Sequence, residues 1–191
     1  MRIEAALLTG GASRRMGKNK ASILIDGVPQ AQRIADSLHA EGIRVTVLGR
    51  DPLPGHQFLR DADDFAGPLS ALARFEVAED AVFVCSCDLP LFDSKIVTVL
   101  SAAIGKKDVA APLVNGYRQP LCALYRSHAF AKISSVLAQK GACAMRWLDS
   151  LESITIGEEQ LRESALDPQC AQGANTFEEF ERMLAAVNRP T

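Results

Sequence analysis

The 191-residue sequence lacks the features that would mark a membrane or secreted protein. No apolar run approaches the roughly 20 residues that cross a bilayer. The first residues include Arg2 and Glu4 and are too charged and too short in apolar content for a secretory signal. We therefore expect a protein with no membrane contact.

Cysteines are few and do not pair up. The sequence has five of them, an odd number scattered along the chain, at Cys85, Cys87, Cys122, Cys143 and Cys170. Such a set forms no disulfide framework and indicates a reducing compartment, so a cytoplasmic location is predicted. No second cysteine pair stands at zinc-ligand spacing from Cys85 and Cys87, which we interpret as small buried hydrophobic residues.

An excess of positive charge is also missing, because the formal net charge is −2. This balance argues against a nucleic-acid partner. Any anionic ligand must therefore be met by a local cluster, which Arg14, Arg15, Lys18 and Lys20 supply. Histidines are equally sparse, and we assign no catalytic role to His39, His56 or His128.

With 48% hydrophobic, 23% charged and only 6% aromatic residues, the chain has the composition of an ordinary globular protein. Its length suits one domain, residues 1–191. Short apolar runs predict strands at residues 3–8, 44–48, 58–60, 81–85, 108–112, 121–125 and 153–156. Helical patterns between them end near Gly42, begin at Pro68, span 94–104 with Ser94 as cap, and cover 127–138, 142–148 and 176–187.

This alternation predicts an α/β fold in three layers, α/β/α, with a mainly parallel, Rossmann-like sheet. Ligands of such folds bind beyond the carboxyl ends of the strands. That rule selects the loop after Leu8, the loops after Leu48 and Arg60, and the segment from Cys85 to Pro90.

The loop after the first strand is rich in glycine and basic residues. It reads Leu-Thr-Gly-Gly-Ala-Ser-Arg-Arg-Met-Gly-Lys-Asn-Lys over residues 8–20. Glycines let backbone amides approach phosphate oxygens, and Arg and Lys neutralise a leaving pyrophosphate. Ala12 and Asn19 break the Walker pattern, and Ala12 breaks the dinucleotide fingerprint as well. A solvated basic loop stays open as the alternative.

A carboxylate follows the most apolar predicted strand, at Asp88. One carboxylate at the ligand edge of an α/β sheet can hold Mg²⁺, with water and phosphate oxygens completing the octahedron. We predict Asp88 as the metal ligand. The alternative is a structural role in the turn into the next helix.

Two motifs carry a family resemblance. Gly10, Gly11, Ser13, Arg15, Met16, Gly17 and Lys20 match the signature of the sugar-phosphate and cofactor nucleotidyltransferases. The Cys-Ser-Cys-Asp-Leu-Pro sequence at 85–90 resembles the corresponding box of molybdenum cofactor guanylyltransferases, the molybdopterin-guanine dinucleotide biosynthesis protein A family. The resemblance implies a nucleotide-diphospho-sugar transferase-like fold, with a nucleotide-binding half over about 1–112 and an acceptor-binding half over about 113–191.

The resemblance implies that GTP donates GMP to molybdopterin or molybdenum cofactor with Mg²⁺ as cofactor. It implies cofactor-donating and molybdoenzyme-maturation proteins as further partners. Asp61 aligns with the guanine-reading aspartate, with Asp63 and Asp64 as competitors, and Gly10-Gly11 favours GTP, since cytidylyl relatives tend to have Ala-Gly. The implied nucleotide-binding residues are Leu8, Thr9, Gly10, Gly11, Ser13, Lys20, Asp61, Gly67 and Asp88. The implied catalytic residues are Arg15, Lys20 and Asp88.

The second half resembles the family less. Arg118, Arg146 and Asn175 match its acceptor-binding positions, although Asn175 could equally cap the last helix. Departures from the family pattern stand at Asn19, Leu48, Gly173 and Phe177. They leave two rival functions open, a cytidylyl or sugar-1-phosphate nucleotidyltransferase and a nucleotide-binding relative without catalysis.

Overall fold

The computed structural model describes residues 1–10, 21, 23–62 and 67–187. Its strands are β1 (Ile3–Leu8), β2 (Leu24–Ile25), β3 (Val28–Pro29), β4 (Arg44–Gly49), β5 (Gln57–Arg60), β6 (Ala81–Ser86), β7 (Val109–Val114), β8 (Tyr117–Arg118), β9 (Cys122–Arg126) and β10 (Ser153–Ile156). Its α-helices are α1 (Gln30–Ala40), α2 (Pro68–Leu72), α3 (Lys95–Ala103), α4 (Ile133–Leu137), α5 (Ala144–Asp149), α6 (Glu158–Glu163) and α7 (Phe177–Val187). Segments of 3-10 helix cover Ser127–Lys132 and Pro168–Ala171.

Across the described part of the chain, the main sheet has eight strands, in the order β10-β7-β9-β6-β1-β4-β5 with β8 paired to β7. Strand β1 lies parallel to β4 and β6, β4 is parallel to β5, and β10 is parallel to β7. Strand β9 runs antiparallel to both β6 and β7. The predicted mainly parallel α/β sheet is therefore confirmed, with β9 and the two-residue β8, which is antiparallel to β7, as the reversed strands among the described residues.

Helices cover both faces of this sheet. Along β1, Ala5 and Leu7 belong to one apolar core, and Ala6 and Leu8 belong to the other, as the two-residue period of a strand requires. Side chains of α1 and α3 fill the first core, and those of α2, α4 and α5 fill the second. Three layers result, as the alternation of elements predicts. Among the described helices, none combines the length and apolarity that a bilayer span requires.

Some local predictions differ from the structure. The cap predicted for α3 is wrong, because the Ser94 side chain makes no capping hydrogen bond and the Lys95 N–H donates to Oδ1 of Asp93 at 2.9 Å instead. Ser94 is already helical in its backbone angles, and its hydroxyl bonds to Glu41 at 3.3 Å. At the last helix, the Glu179 N–H donates to the Thr176 hydroxyl at 3.1 Å, so Thr176 is the cap.

Candidate active site

The carboxyl ends of β1, β4, β5 and β6 meet at one edge of the sheet, here called the carboxyl edge. The chain leaving β1 stays close to β4 there, because the backbone N–H groups of Thr9 and Gly10 both donate to the Leu48 carbonyl, at 2.8 and 3.3 Å. A Cβ placed on Gly49 would lie 2.1 Å from the Thr9 hydroxyl oxygen, so this approach requires glycine. The first two residues of the loop after β1, Thr9 and Gly10, are therefore held in place by main-chain hydrogen bonds.

The side chains of Leu8 and Leu48 are buried in the sheet core and so do not face a ligand. Each contributes a carbonyl instead. The Leu8 oxygen accepts from the Cys87 N–H at 3.0 Å, which ties the end of β1 to the loop after β6. Leu48, a departure from the family pattern, therefore offers its backbone carbonyl and not its side chain at this edge.

Asp61 lies directly over Gly10. A Cβ added to Gly10 would come within 2.1 Å of Oδ2 of Asp61, and the Asp61 N–H donates to the Gly49 carbonyl at 2.8 Å. The Asp61 carboxylate can occupy this place only if residue 10 has no side chain. Gly67, with φ of 85°, stands just before α2 and turns the chain back into that helix.

Asp88 follows β6 and is partly exposed at the same edge. Its Oδ1 accepts from the Ser86 hydroxyl at 2.5 Å, and its backbone carbonyl accepts from the Ala174 N–H at 2.8 Å. A Cβ built on Gly173 would lie 3.3 Å from the same Oδ1. The structure thus brings the carboxylate beside the end of β1 and against the segment that leads into α7.

The remaining predicted residues of the phosphate loop lie outside the described residues. They are Gly11, Ser13, Arg15 and Lys20, together with the neighbouring Arg14, Lys18 and Asn19. Asp63 and Asp64, the competitors of Asp61, lie outside them as well.

Near Asp88 the thiols are inert. Cys85, Cys87, Cys122 and Cys170 are buried, as predicted for the first two, whereas Cys143 is exposed. Burial raises the pKa of Cys85 and Cys122 and raises that of Cys170 to about 12, so these thiols stay protonated. In the described ranges, no group of three or more His, Cys, Asp or Glu side chains is placed to hold a metal by itself.

The reversed strand β9 brings part of the second half to the carboxyl edge. Its first residue, Cys122, pairs with Cys85 of β6, and the Leu121 carbonyl accepts from the Ser86 N–H at 3.0 Å. The Tyr125 hydroxyl donates to the Pro120 carbonyl at 2.8 Å and braces this turn from below. The segment after Arg118 is therefore bonded to β6 at Ser86, two residues before Asp88.

The predicted acceptor residues have partners within the protein. Arg118, on β8, forms an ion pair with Asp149 at the end of α5. Arg146, on α5, donates to the Lys140 carbonyl at 2.5 Å, and its guanidinium lies over Gly141. Asn175 is exposed, and its N–H donates to Glu179 at 2.8 Å. These contacts connect Arg118 with the helix that carries Arg146.

Sequence reasoning missed three residues around Asp88. Ser86 stood inside the motif but received no role, although a hydroxyl at the end of an apolar strand is a usable signal. Gly173 appeared only as a departure from the family, and Gln30 was not considered. The Gln30 amide is buried and donates to the Leu89 carbonyl, next to Asp88. The sequence around Gln30 gave no signal of this contact, because the burial of its amide is visible only in the structure.

Comparison with known proteins agrees with the sheet and the motifs. The profile of the MobA-like NTP transferase domain matches residues 5–154. A molybdenum cofactor guanylyltransferase of Desulfosudis oleivorans is 27% identical over 97% of this chain and 96% of its own. A probable molybdenum cofactor guanylyltransferase of Bacillus subtilis is 28% identical over 91% of this chain and 90% of its own.

Solved structures share the fold at lower identity. Molybdopterin-guanine dinucleotide biosynthesis protein A from Archaeoglobus fulgidus superposes with a TM-score of 0.78 at 18% identity, over 96% of this chain and 99% of that one. A nucleotidyl transferase from Methanothermobacter thermautotrophicus gives a TM-score of 0.75 at 13% identity, over 97% of both chains. Since the family profile spans far more than half of the sequence, this chain belongs to the MobA-like NTP transferase family of nucleotidyltransferases.

Proposed function

We propose that this protein transfers GMP from GTP to the phosphate of molybdopterin or molybdenum cofactor, forming the guanine dinucleotide and releasing pyrophosphate. The observation that carries the proposal is the position of two carboxylates, Asp61 and Asp88, at one sheet edge on either side of the end of β1. The names of the relatives support the choice of substrates.

Asp61 is the guanine-reading residue in this proposal. Guanine presents two adjacent N–H donors, and a carboxylate can accept both side by side. Cytosine has no such pair, so a CTP-bound site would leave buried polar groups without partners. The close contact of Asp61 with Gly10 supports this assignment, because alanine at position 10 would occupy the space of Oδ2.

Asp88 is the residue that would hold Mg²⁺. Protein Mg²⁺ sites commonly use one or two carboxylates, while substrate phosphates and water supply the other oxygens. A partly exposed carboxylate at the ligand edge fits that pattern, and the described residues contain no group of three or more His, Cys, Asp or Glu side chains that could hold a metal without such help. When bound, the ion would neutralise charge on the phosphates of GTP.

The reaction needs little acid–base chemistry from the protein. An oxygen of the acceptor phosphate forms a bond to the α-phosphorus of GTP, and the bond from that phosphorus to the bridging α,β-oxygen breaks. The acceptor monoester is mostly dianionic near neutral pH, since its second pKa is about 6, and requires no general base. Arg15 and Lys20 are proposed to stabilise the leaving pyrophosphate, and Arg118, Arg146 and Asn175 to bind the acceptor.

A direct assay tests this proposal. Purified protein is incubated with molybdopterin, Mg²⁺ and either GTP or CTP, and pyrophosphate and the dinucleotide product are both measured. We expect product from GTP, and Asp61→Asn should reduce kcat/KM for GTP about 10- to 100-fold with a smaller effect on CTP. Product from CTP alone, or pyrophosphate release independent of the acceptor, would overturn the assignment.

Asp36→Asn is the matched control. Asp36 accepts hydrogen bonds from Gln32 and lies 2.9 Å from His56, which precedes β5 and so stands toward the opposite edge. The same chemical change there removes polar contacts without touching the carboxyl edge. Its kcat/KM for GTP should equal that of the wild type.

A further inference from the structure

Two neighbouring residues are close to one oxygen of the Asp88 carboxylate. Oδ1 accepts a hydrogen bond from the Ser86 hydroxyl at 2.5 Å. The same oxygen also lies close to Gly173, where an added Cβ would be 3.3 Å away. The rotamer of Asp88 is therefore limited by one hydroxyl and by one missing side chain.

The main chain around Asp88 is held by other bonds. The Cys87 N–H donates to the Leu8 carbonyl at 3.0 Å, and the Asp88 carbonyl accepts from Ala174 at 2.8 Å. The Gln30 amide donates to the Leu89 carbonyl. Because none of these bonds uses the Ser86 side chain, removing its hydroxyl should leave the loop in place and take one hydrogen bond from the carboxylate.

We propose that Ser86 is a positioning residue that fixes the Asp88 carboxylate for binding of a divalent cation and triphosphate, and that Gly173 provides the space this orientation needs. The inference rests on the proposed role of Asp88 in holding the metal. Groups that orient a ligating carboxylate typically change metal affinity about 10- to 100-fold when they are removed.

The glycine at position 173 is part of the same arrangement. A Cβ at this position would lie 3.3 Å from Oδ1 of Asp88, so a side chain here would require the carboxylate to shift by a few tenths of an ångström. Gly173 leaves room for the carboxylate in the position where it accepts from the Ser86 hydroxyl. A change at either position should therefore disturb metal binding in the same way.

The test measures how strongly a metal tightens nucleotide binding, without any turnover. The Kd for GTP is determined without and with Mn²⁺ as the probe ion, in the absence of acceptor. The Kd without Mn²⁺ divided by the Kd with Mn²⁺, here called the metal ratio, is then compared between variants. Ser86→Ala should reduce this ratio about 10-fold while leaving the metal-free Kd and the Tm near wild type. Ser86→Thr keeps the hydroxyl on a residue suited to a strand end and should restore most of the ratio.

Ser37→Ala is the matched control, since that hydroxyl is also partly buried and donates to the Ile34 carbonyl at 2.9 Å. Its ratio should not change. Gly173→Ala places a Cβ 3.3 Å from Oδ1 and should lower the ratio as well. This second variant tests the positioning role even if Ser86→Ala folds poorly.

The Asp88→Asn variant distinguishes the proposed metal-binding role of Asp88 from the positioning role of Ser86. If that variant keeps the full ratio, the metal assignment within the proposed function is wrong. If the ratio falls to one in Asp88→Asn but stays at the wild-type value in Ser86→Ala and Gly173→Ala, the metal assignment stands and the positioning role of Ser86 is overturned. A loss of metal-free GTP affinity in Ser86→Ala as large as the loss with Mn²⁺ would likewise contradict it.

Discussion

The two edges of the main sheet carry the same kind of side chain and use it differently. At the amino edge, where β1 and β4 begin, Glu4 is only 2% exposed. Its Oε1 accepts from the backbone N–H groups of Ala78 and Glu79, at 2.6 and 3.0 Å, and its Oε2 lies 2.7 Å from Arg44. At the carboxyl edge, Asp88 is partly exposed and is flanked by a hydroxyl and a glycine.

The difference lies in what surrounds each carboxylate. The Glu4 carboxylate accepts hydrogen bonds from one arginine side chain and two backbone N–H groups. Its charge therefore joins β1 to β4 and to the segment before β6. Asp88 lies against Gly173 and Asp61 lies against Gly10, so each carboxylate closely approaches a residue that has no side chain. The charge of Glu4 is thus used within the protein, whereas the proposed function assigns Asp61 and Asp88 to a bound ligand.

The largest expected effect comes from Asp88→Asn. Loss of the charge should lower kcat by at least about 100-fold, since a bound divalent ion contributes several kcal/mol of charge stabilisation. Asp108→Asn at the amino edge is the control and should keep normal turnover. Pyrophosphate release measures both, and an Asp88→Asn variant with more than a tenth of the wild-type rate would erase the contrast between the edges.

Glu4→Ala probes the other side of the comparison. It leaves the Ala78 and Glu79 N–H groups without their acceptor and should lower the free energy of unfolding by about 2–3 kcal/mol. Urea denaturation checks this, with Glu4→Gln as the milder control because its carbonyl can still accept. The Kd for GTP should not change in either variant, and a weakened Kd without lost stability would contradict the structural role.

Gly10→Ala sharpens the assignment of Asp61. The new Cβ would stand 2.1 Å from Oδ2 and must displace the carboxylate, so the preference for GTP over CTP should fall about 10-fold. The ratio of kcat/KM values for the two nucleotides is the measurement. Gly157→Ala serves as control, since its added Cβ would meet only Gln160, at 3.8 Å. An unchanged preference in Gly10→Ala would separate base selection from Asp61.

The smallest expected effect concerns Asp108, which precedes β7 at the amino edge. Hydrogen bonds from His128 and from the Glu152 N–H hold the pKa of Asp108 below its ordinary value. A lowered folded pKa means that this stabilisation is present above the ordinary pKa, about 4, and is lost as the pH falls through the folded pKa. Asp108→Asn should cost about 1 kcal/mol at neutral pH.

Unfolding measured from pH 7 down to 2 checks this prediction. The stability difference between wild type and Asp108→Asn should shrink as the solution becomes acidic. A difference that stays constant over this range would show that the carboxylate charge is not what the contact uses.

Much of the fold follows from local patterns in the sequence. Apolar runs that begin at Ile3 and Ala81 predict β1 and β6 because strands buried on both faces have no polar alternation. The direction of β9 could not be predicted, since a short apolar run looks the same in either orientation. Helix α6 was missed because its sequence, Glu-Glu-Gln-Leu-Arg-Glu, offers a single buried residue, Leu161, and so no apolar stripe.

In the candidate site, too, some features follow from local sequence patterns and others do not. The position of Asp88 at the ligand edge follows from the rule for strand ends, because that rule needs only the strand and its direction. The contact of Asp88 with Gly173 joins residues far apart in sequence and depends on a side-chain rotamer, so no local pattern contains it. The overlap of Asp61 with the space above Gly10 is of the same kind.

The placement of β9 between β6 and β7 also determines how the molecule could be divided. Strand β7 belongs to the predicted nucleotide-binding half, yet it is joined to β6 only through β9 in the strand order. A cut near residue 112 would fall within β7 itself, would separate its first residues from β8, β9 and β10, and would leave the Ser86 N–H without the Leu121 carbonyl. Exchanging acceptor modules between relatives would therefore mean rebuilding the middle of the sheet, and chimeras should be joined at surface loops outside β6, β7 and β9.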